Sequence, residues 1–152
     1  MAKIMIRRMC EDDLPVVSEL AMLANPHAIK EKYVKHLAGV LKANRDLSFV
    51  ATDKAKVIGY AQAEMRGNEQ AMLEDIAVQK EHQGKKIGTQ LLAKIVKALE
   101  EKGARMVFAE VHYKCAAAIP FYYRHGFRVS GFGQDYFGIG HDAIVLKLIL
   151  DR

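Results

Sequence analysis

Apolar residues recur every three or four positions between residues 87 and 99, with charged residues on the opposite side of the repeat. This period is typical of an amphipathic helix, and Gly103 follows where a glycine commonly ends one. The same spacing predicts three more helices, over residues 14–23, 28–42 and 116–124. In the first of them, Asp12 or Asp13 is expected to cap the helix and Pro15 to lie in its first turn.

Short apolar runs bounded by turn residues predict the strands. They cover residues 4–6, 47–52, 57–64, 72–78 and 106–111, and two more close the chain, the last over residues 143–150. The second and third runs are separated by a short turn and form a hairpin. The fourth and fifth flank the strongest helix, which favours parallel neighbours. The order of elements predicts an α/β fold around one mixed sheet.

The length of 152 residues fits one domain, residues 1–152. Hydrophobic residues make up 51% and charged residues 27%, which excludes a disordered or collagen-like chain. The net charge of +5 is spread along the sequence, so charge alone supports no nucleic-acid partner.

The two cysteines, Cys10 and Cys115, lack the spacing of metal ligands, and we interpret both as free thiols in a reducing compartment. No signal peptide and no apolar run of roughly 18 residues is evident. We therefore expect a cytoplasmic protein with no membrane partner.

The loop over residues 81–88 joins a predicted strand to the strongest helix and holds two glycines and two lysines. Such a junction directs backbone N–H groups and the positive end of the helix dipole at one point, as a phosphate group requires. An ordinary strand-to-helix turn would look the same. The glycines fit neither the P-loop nor the G-x-G-x-x-G pattern.

This segment resembles motif A of the GNAT superfamily of acyl-coenzyme-A-dependent N-acyltransferases, [QR]-x-x-G-x-[GA]. Gln83, Ile87 and Gly88 fit the pattern, whereas Lys86 replaces its central glycine. Residues 115–127 are similar to the family's second motif, N-x-x-A-x-x-[FL]-Y-x-x-x-G-F, with Cys115 in place of the asparagine. The resemblance implies a mixed, mostly antiparallel sheet flanked by helices, with two central parallel strands that splay apart.

The resemblance also implies where acetyl-coenzyme A (acetyl-CoA) lies. Its pantetheine arm would run between the strands that end at Val78 and Val111, and the N–H of Val78 would polarise the thioester carbonyl. The loop over residues 83–89 would hold the pyrophosphate. The implied cofactor-binding residues are Ile76, Ala77, Val78, Gln83, Gly84, Lys85, Lys86, Ile87, Gly88, Thr89, Cys115 and Ala118.

Tyr122 matches the tyrosine that family members use as the general acid toward the leaving thiolate; a core-facing tyrosine is the alternative. Glu74 is our candidate base and Asp75 our candidate substrate-binding residue, because this segment is similar to that of the diamine acetyltransferase branch. Strand alternation predicts that Glu74, Ile76 and Val78 share one face and that Asp75 lies on the other. A solvated edge carboxylate is the alternative for Glu74.

The expected function is transfer of acetyl from acetyl-CoA to a primary amine of a small molecule or protein, by direct attack in a ternary complex. A non-catalytic module that binds acyl-CoA and acts as a sensor is the alternative. The resemblance leaves a homodimer open. No metal is expected, because the histidines lack ligand spacing: His27, His36, His82, His112, His125 and His141. His141 is interpreted as structural, and the Cys115 thiol as packed.

Overall fold

The computed structural model describes residues 3–150, whose seven strands form one sheet. The strands are β1 (Ile4–Arg8), β2 (Ser48–Asp53), β3 (Lys56–Met65), β4 (Gln70–Val78), β5 (Met106–His112), β6 (Arg128–Gly133) and β7 (Ala143–Ile149). Their order in the sheet is β1-β2-β3-β4-β5-β7-β6. Among the strands of residues 3–150 only β4 and β5 are parallel neighbours, which confirms the mixed, mostly antiparallel sheet.

Helices cover both faces of this sheet. They are α1 (Leu14–Ala24), α2 (Lys30–Ala43), α3 (Ile87–Glu101) and α4 (Ile119–Arg124). The apolar stripe of α3 packs in one core with Phe49 and Ala51, and α1 and α2 pack in another with Val50. Since neighbouring residues of a strand point to opposite faces, the two cores lie on opposite sides of the sheet. Within residues 3–150 no helix is both long and apolar enough to cross a membrane.

The expectation that Asp12 or Asp13 caps the first helix is wrong. Asp13 ends a short 3-10 turn (Glu11–Asp13), so its backbone is already helical and its side chain makes no cap bond to α1. An N-cap needs an extended backbone to aim its side chain at the helix. The Asp13 carboxylate instead accepts a hydrogen bond from the N–H of Cys10 at 2.9 Å and pairs with Arg7 at 2.8 Å.

The predicted helix over residues 116–124 is divided in two. A 3-10 turn (Tyr113–Ala118) leads into α4, and Pro120 lies in the first turn of α4. The proline ring collides with the carbonyl four residues earlier in a continuous α-helix, so the α-helical part begins only next to it.

The two parallel strands separate after four residues. The pairing joins Gln70–Leu73 of β4 to Met106–Ala109 of β5 and stops there. Beyond that point β4 remains paired with β3 as far as Val78, and β5 remains paired with β7 as far as His112. The predicted splay is therefore confirmed, and a fork opens between the second halves of β4 and β5.

A β-bulge interrupts β4 at the start of this fork. Gln62 pairs with Asp75 but Ala63 pairs with Leu73, which leaves Glu74 as an extra residue. A bulge turns two successive side chains to one side of the sheet. Glu74 and Asp75 accordingly both contact α2, while Ile76 packs in the opposite core. The prediction that Glu74 shares a face with Ile76 and Val78 is wrong, because strict alternation ignores the bulge.

Candidate active site

The fork opens into a cavity of about 860 Å³. Its walls come from α2 and the loop before it, from β4 and β5, from the turn between β3 and β4, from the 3-10 turn before α4, from α4, and from the loop between β6 and β7. Six of the predicted catalytic, substrate-binding and cofactor-binding residues line it: Glu74, Asp75, Ile76, Cys115, Ala118 and Tyr122. The fork thus brings the second motif to the carboxylates of β4, whereas the predicted cofactor-binding residues over 77–89 lie outside this cavity.

Tyr122 lies on α4 and is 9% exposed. Its ring is held edge-on between Phe121 and Phe127, at centroid distances of 5.5 and 5.3 Å. Burial, reinforced by the nearby charge of Asp75, raises the pKa of the Tyr122 phenol. The phenol is therefore protonated at neutral pH, and burial makes it a weaker acid than an exposed tyrosine.

Glu74 is not a solvated edge carboxylate, since its side chain is 8% exposed. Its carboxylate lies 2.8 Å from the Arg66 guanidinium and 3.4 Å from Nε2 of His36. Burial alone would raise its pKa, but the interactions with His36, with the neighbouring Glu64 carboxyl and with Arg66 bring the pKa of Glu74 to about 2. Glu74 is therefore ionised at neutral pH, paired with the Arg66 guanidinium and in contact with the His36 ring.

Asp75 is held by a network of its own. One carboxylate oxygen accepts hydrogen bonds from the hydroxyls of Tyr33 and of Tyr60, the latter at 2.5 Å, and the other accepts from the N–H of Ile76 at 3.0 Å. Burial raises the pKa of Asp75 against the opposing effect of these donors. The Asp75 side chain thus ties α2 to β3 and β4 at the cavity wall.

Along the fork, the backbone N–H and C=O groups of β4 that face away from β3 no longer bond to β5. The N–H of Gln79 donates to the carbonyl of Ile58 on β3, so the N–H of Val78 points the other way, into the gap left by β5. The carbonyl of Val78 accepts from the side chain of Gln83 at 3.0 Å. Ala77 packs on the α1 and α2 side of the sheet.

The loop over residues 83–89 forms the entry to α3. Gln83, Gly84, Lys85 and Lys86 are exposed, and Ile87 is buried at the start of the helix. The first N–H groups of a helix have no partner within the helix, and the dipole there favours an anion. Thr89, in the same turn, lies 3.0 Å from Nε2 of His125 through its hydroxyl. The loop therefore has the features that a phosphate group requires.

Gly88 shows how closely this loop is built. A Cβ added at Gly88 would lie 3.2 Å from Cε1 of Phe121 on α4. The backbone of the first turn of α3 thus packs directly against the Phe121 ring, and a side chain at residue 88 would have to displace that ring. The exposed loop and the first N–H groups of α3 suit the pyrophosphate of acetyl-CoA.

Lys86 occupies a backbone conformation that suits glycine. Its φ is 63° and its ψ is 20°, in the left-handed region, as the residue that precedes α3. An L-residue with a side chain pays about 1–2 kcal/mol in this region. The left-handed backbone thus explains why the family motif has a glycine at this position. This chain adopts the same backbone conformation with a lysine.

Lys86→Gly is expected to raise the free energy of unfolding by about 1 kcal/mol, since relief of the left-handed strain exceeds the entropic cost of glycine. Urea denaturation at pH 7 measures it. Lys85→Gly is the matched control, because Lys85 is not among the residues with positive φ and should lose stability. A lower midpoint for Lys86→Gly than for the unaltered protein would contradict the assignment.

Cys115 and Ala118 lie in the 3-10 turn, beside the C-terminal end of α1. The Cys115 thiol is 3.7 Å from the side-chain oxygen of Asn25, and burial raises its pKa. The thiol is therefore protonated at neutral pH and packed against the α1–α2 loop.

Four cavity residues were missed by the sequence analysis. Arg66 and His36 hold Glu74, and Glu110 on β5 faces Tyr136, whose hydrogen bond to Glu110 raises the pKa of the Tyr136 phenol to about 12. A carboxylate inside the apolar run of β5 was a usable signal for Glu110. No local pattern marks the other three, because they reach the cavity from elements distant in sequence.

Three histidines connect the loops around the cavity. His27 stacks on His112 at a centroid distance of 3.7 Å, and Nε2 of His112 lies 2.9 Å from Nδ1 of His141. The N–H of Lys114 donates to Nδ1 of His112, so Nε2 of His112 carries the proton shared with His141. In the described part of the chain, no group of three or more His, Cys, Asp or Glu residues is arranged to hold a metal ion.

Comparisons with known proteins match this chain to acetyltransferases. The model of the acetyltransferase (GNAT) family matches residues 14–127. The ribosomal protein bS18-alanine N-acetyltransferase of Escherichia coli strain K12 is 29% identical over 139 residues, 90% of either chain. Ard1 from Thermoplasma volcanium has a TM-score of 0.84 at 20% identity, covering 98% of this chain and 99% of that one. A GNAT family acetyltransferase from Elizabethkingia anophelis with acetyl-CoA bound has a TM-score of 0.79 at 22% identity, covering 97% and 98%.

Proposed function

Because the chain belongs to the acetyltransferase (GNAT) family, we propose that it acetylates the N-terminal amine of a protein or peptide, by direct attack on acetyl-CoA in a ternary complex. The predicted GNAT fold and acetyl-CoA-dependent N-acetyltransferase activity are confirmed by this membership. The similarity to the diamine acetyltransferase branch stays a prediction, and a homodimer stays open.

The basicity of the acceptor amine and the named relative carry the choice of acceptor. Glu74, one of the carboxylates that line the cavity, is already paired with Arg66. An N-terminal amine has a pKa of about 7.7–8.0, against about 10.4 for a lysine side chain, so much more of it is neutral at pH 7. The E. coli relative that modifies an alanine of a ribosomal protein supports the same class.

We assign the residues as follows. Acetyl-CoA supplies the activated acetyl group. The loop over residues 83–89, with Gly88 at its centre, holds the pyrophosphate, and the free edge of β4 from Ile76 through Ala77 to Val78 binds the pantetheine arm. Cys115 and Ala118 line the acetyl end. Because the Ile76 N–H is bonded to Asp75, the N–H of Val78 is the available donor to the thioester carbonyl.

The catalytic roles go to Tyr122 and Glu74. Tyr122 gives its proton to the departing thiolate. A carboxylate with a pKa of about 2 takes up little proton itself, so Glu74 contributes to the base function through its charge. Asp75 lies in the cavity wall, where it is our proposed substrate-binding residue, and it keeps the position of α2 through Tyr33. No residue is assigned to a metal.

A panel of three acceptors tests this proposal. Thiol release from acetyl-CoA is measured with an alanine-initiated hexapeptide, with the same peptide blocked at its N-terminus but carrying one lysine, and with spermidine. We expect turnover of the first peptide only, and tandem mass spectrometry should locate the acetyl group on its N-terminus. Turnover of spermidine or of the blocked peptide alone would contradict the proposed acceptor.

A further inference from the structure

We propose that His36 takes the proton from the acceptor amine, with Glu74 holding its ring in place. This inference rests on the proposed transfer to an amine. His36 lies on α2, lines the same cavity as Tyr122, and matches no motif in the sequence.

The contact with Glu74 favours one tautomer of neutral His36. Nε2 of His36 lies 3.4 Å from a carboxylate oxygen of Glu74. An ionised carboxylate attracts an N–H and repels a lone pair, so this contact favours the hydrogen on Nε2 and the lone pair on Nδ1. The Tyr33 ring meets the His36 ring edge-on at a centroid distance of 6.0 Å. Neutral His36 in this tautomer has a basic nitrogen at Nδ1.

His36 can also pass the proton on. Its side chain is 46% exposed, so water reaches the ring from outside. Glu74 itself is 8% exposed and is held by Arg66, which leaves it poorly placed to exchange protons with solvent.

The charges around His36 favour uptake of a proton near neutral pH. Glu74 and Asp75 face it from β4 and Glu64 from β3, while Arg66 acts in the opposite direction. The hydrogen bond to Glu74, against the effect of partial burial, raises the pKa of His36 above its usual value of 6.5. A base with a pKa near the working pH is the most effective one, which a carboxylate with a pKa of about 2 is not.

The protons of the reaction then balance. The acceptor ammonium gives one proton to Nδ1 of His36, which releases it to solvent. The neutral amine nitrogen bonds to the thioester carbonyl carbon, and the carbon–sulfur bond breaks. The nitrogen loses its second proton to solvent, and the thiolate gains one from Tyr122, which is then reprotonated from solvent. The net products are the acetylated amine, free coenzyme A and one proton.

The test is the pH profile of kcat/KM for His36→Gln with the alanine-initiated hexapeptide at saturating acetyl-CoA. In the unaltered protein kcat/KM should rise with pH through a pKa above 6.5, because only neutral His36 accepts a proton. In His36→Gln, kcat/KM should be about 100-fold lower at pH 7, and its rise through the pKa of His36 should be absent. The difference in kcat/KM should be smaller at pH 9, because most of the amine is neutral there and needs no base. An unchanged profile would overturn the proposal.

His82→Gln is the matched control. His82 also lies 3.4 Å from a carboxylate, that of Asp53, but outside the cavity. In His82→Gln, kcat/KM should still rise with pH as it does in the unaltered protein. If His82→Gln lost this rise as well, the effect would be one of general stability and the role of His36 would be excluded.

A titration that needs no acceptor gives a second readout. The pKa of His36, followed by the NMR shifts of its ring, should lie above 6.5 in the unaltered protein and fall in Glu74→Gln. An unchanged His36 pKa in Glu74→Gln would overturn the inference. Failure of the proposed function looks different, since the unaltered protein would then turn over none of the three acceptors while His36 still titrated as described.

Discussion

Tyr122→Phe is expected to lower kcat by at least about 100-fold while the Kd for acetyl-CoA stays the same. The substitution removes only the hydroxyl, and the ring keeps its edge-on packing between Phe121 and Phe127. The thiolate must then leave without a proton donor. Calorimetric titration with acetyl-CoA measures Kd, and thiol release with the alanine-initiated hexapeptide measures kcat.

Tyr123→Phe is the control for this experiment. Tyr123 is the next residue of α4 but is 55% exposed, and the Arg128 guanidinium lies over its ring, which phenylalanine preserves. We expect unchanged kcat. Tyr122→Phe with full activity would reject the acid role, and loss of acetyl-CoA binding would show that Tyr122 serves the structure of the fork instead.

Gly88→Glu is expected to abolish measurable binding of acetyl-CoA. Its Cβ would lie 3.2 Å from Phe121, and its carboxylate would repel the pyrophosphate at the entry to α3. Gly88→Ala adds the Cβ without the charge and should weaken binding by about 10-fold, or about 1.4 kcal/mol. Isothermal titration with acetyl-CoA and with desulfo-coenzyme A measures both variants.

Gly39→Glu is the control for the added charge, because it places the same carboxylate away from the loop over residues 83–89. Gly39 lies within α2, and a Cβ there meets nothing within 4 Å. This control should bind acetyl-CoA as the unaltered protein does. If Gly88→Glu bound equally well, with circular dichroism showing an intact fold, the loop over residues 83–89 would not hold the pyrophosphate.

The order of elements follows from the sequence, because it depends on short-range patterns, whereas the splay of the two parallel strands is implied only by the resemblance to the family. The stripe of α3 and the apolar runs of β4 and β5 specify a strand, a helix and a strand that must lie parallel. Short-range patterns did not predict the role of Asp13 at the start of α1. That role depends on the contact with Arg7 and on the 3-10 turn that precedes the helix.

The β4 bulge is the main point at which sequence reasoning failed. Nothing in the triplet around Glu74 reveals that β3 pairs with one residue fewer than β4 contributes. Alternation assumes one-to-one pairing, so it placed Glu74 and Asp75 on opposite faces. The pairing of β3 with β4 decided that both carboxylates face α2.

The sequence by itself determined the family, the fold and the loop between β4 and α3. These depend on residues close in sequence, whose spacing can be read directly. Only the tertiary structure decided what surrounds Glu74. Its partners His36 and Arg66 come from α2 and from the turn after β3, and both the low pKa of Glu74 and the raised pKa of His36 arise from that contact. Such interactions depend on distances between elements, which the order of residues along the chain does not encode locally.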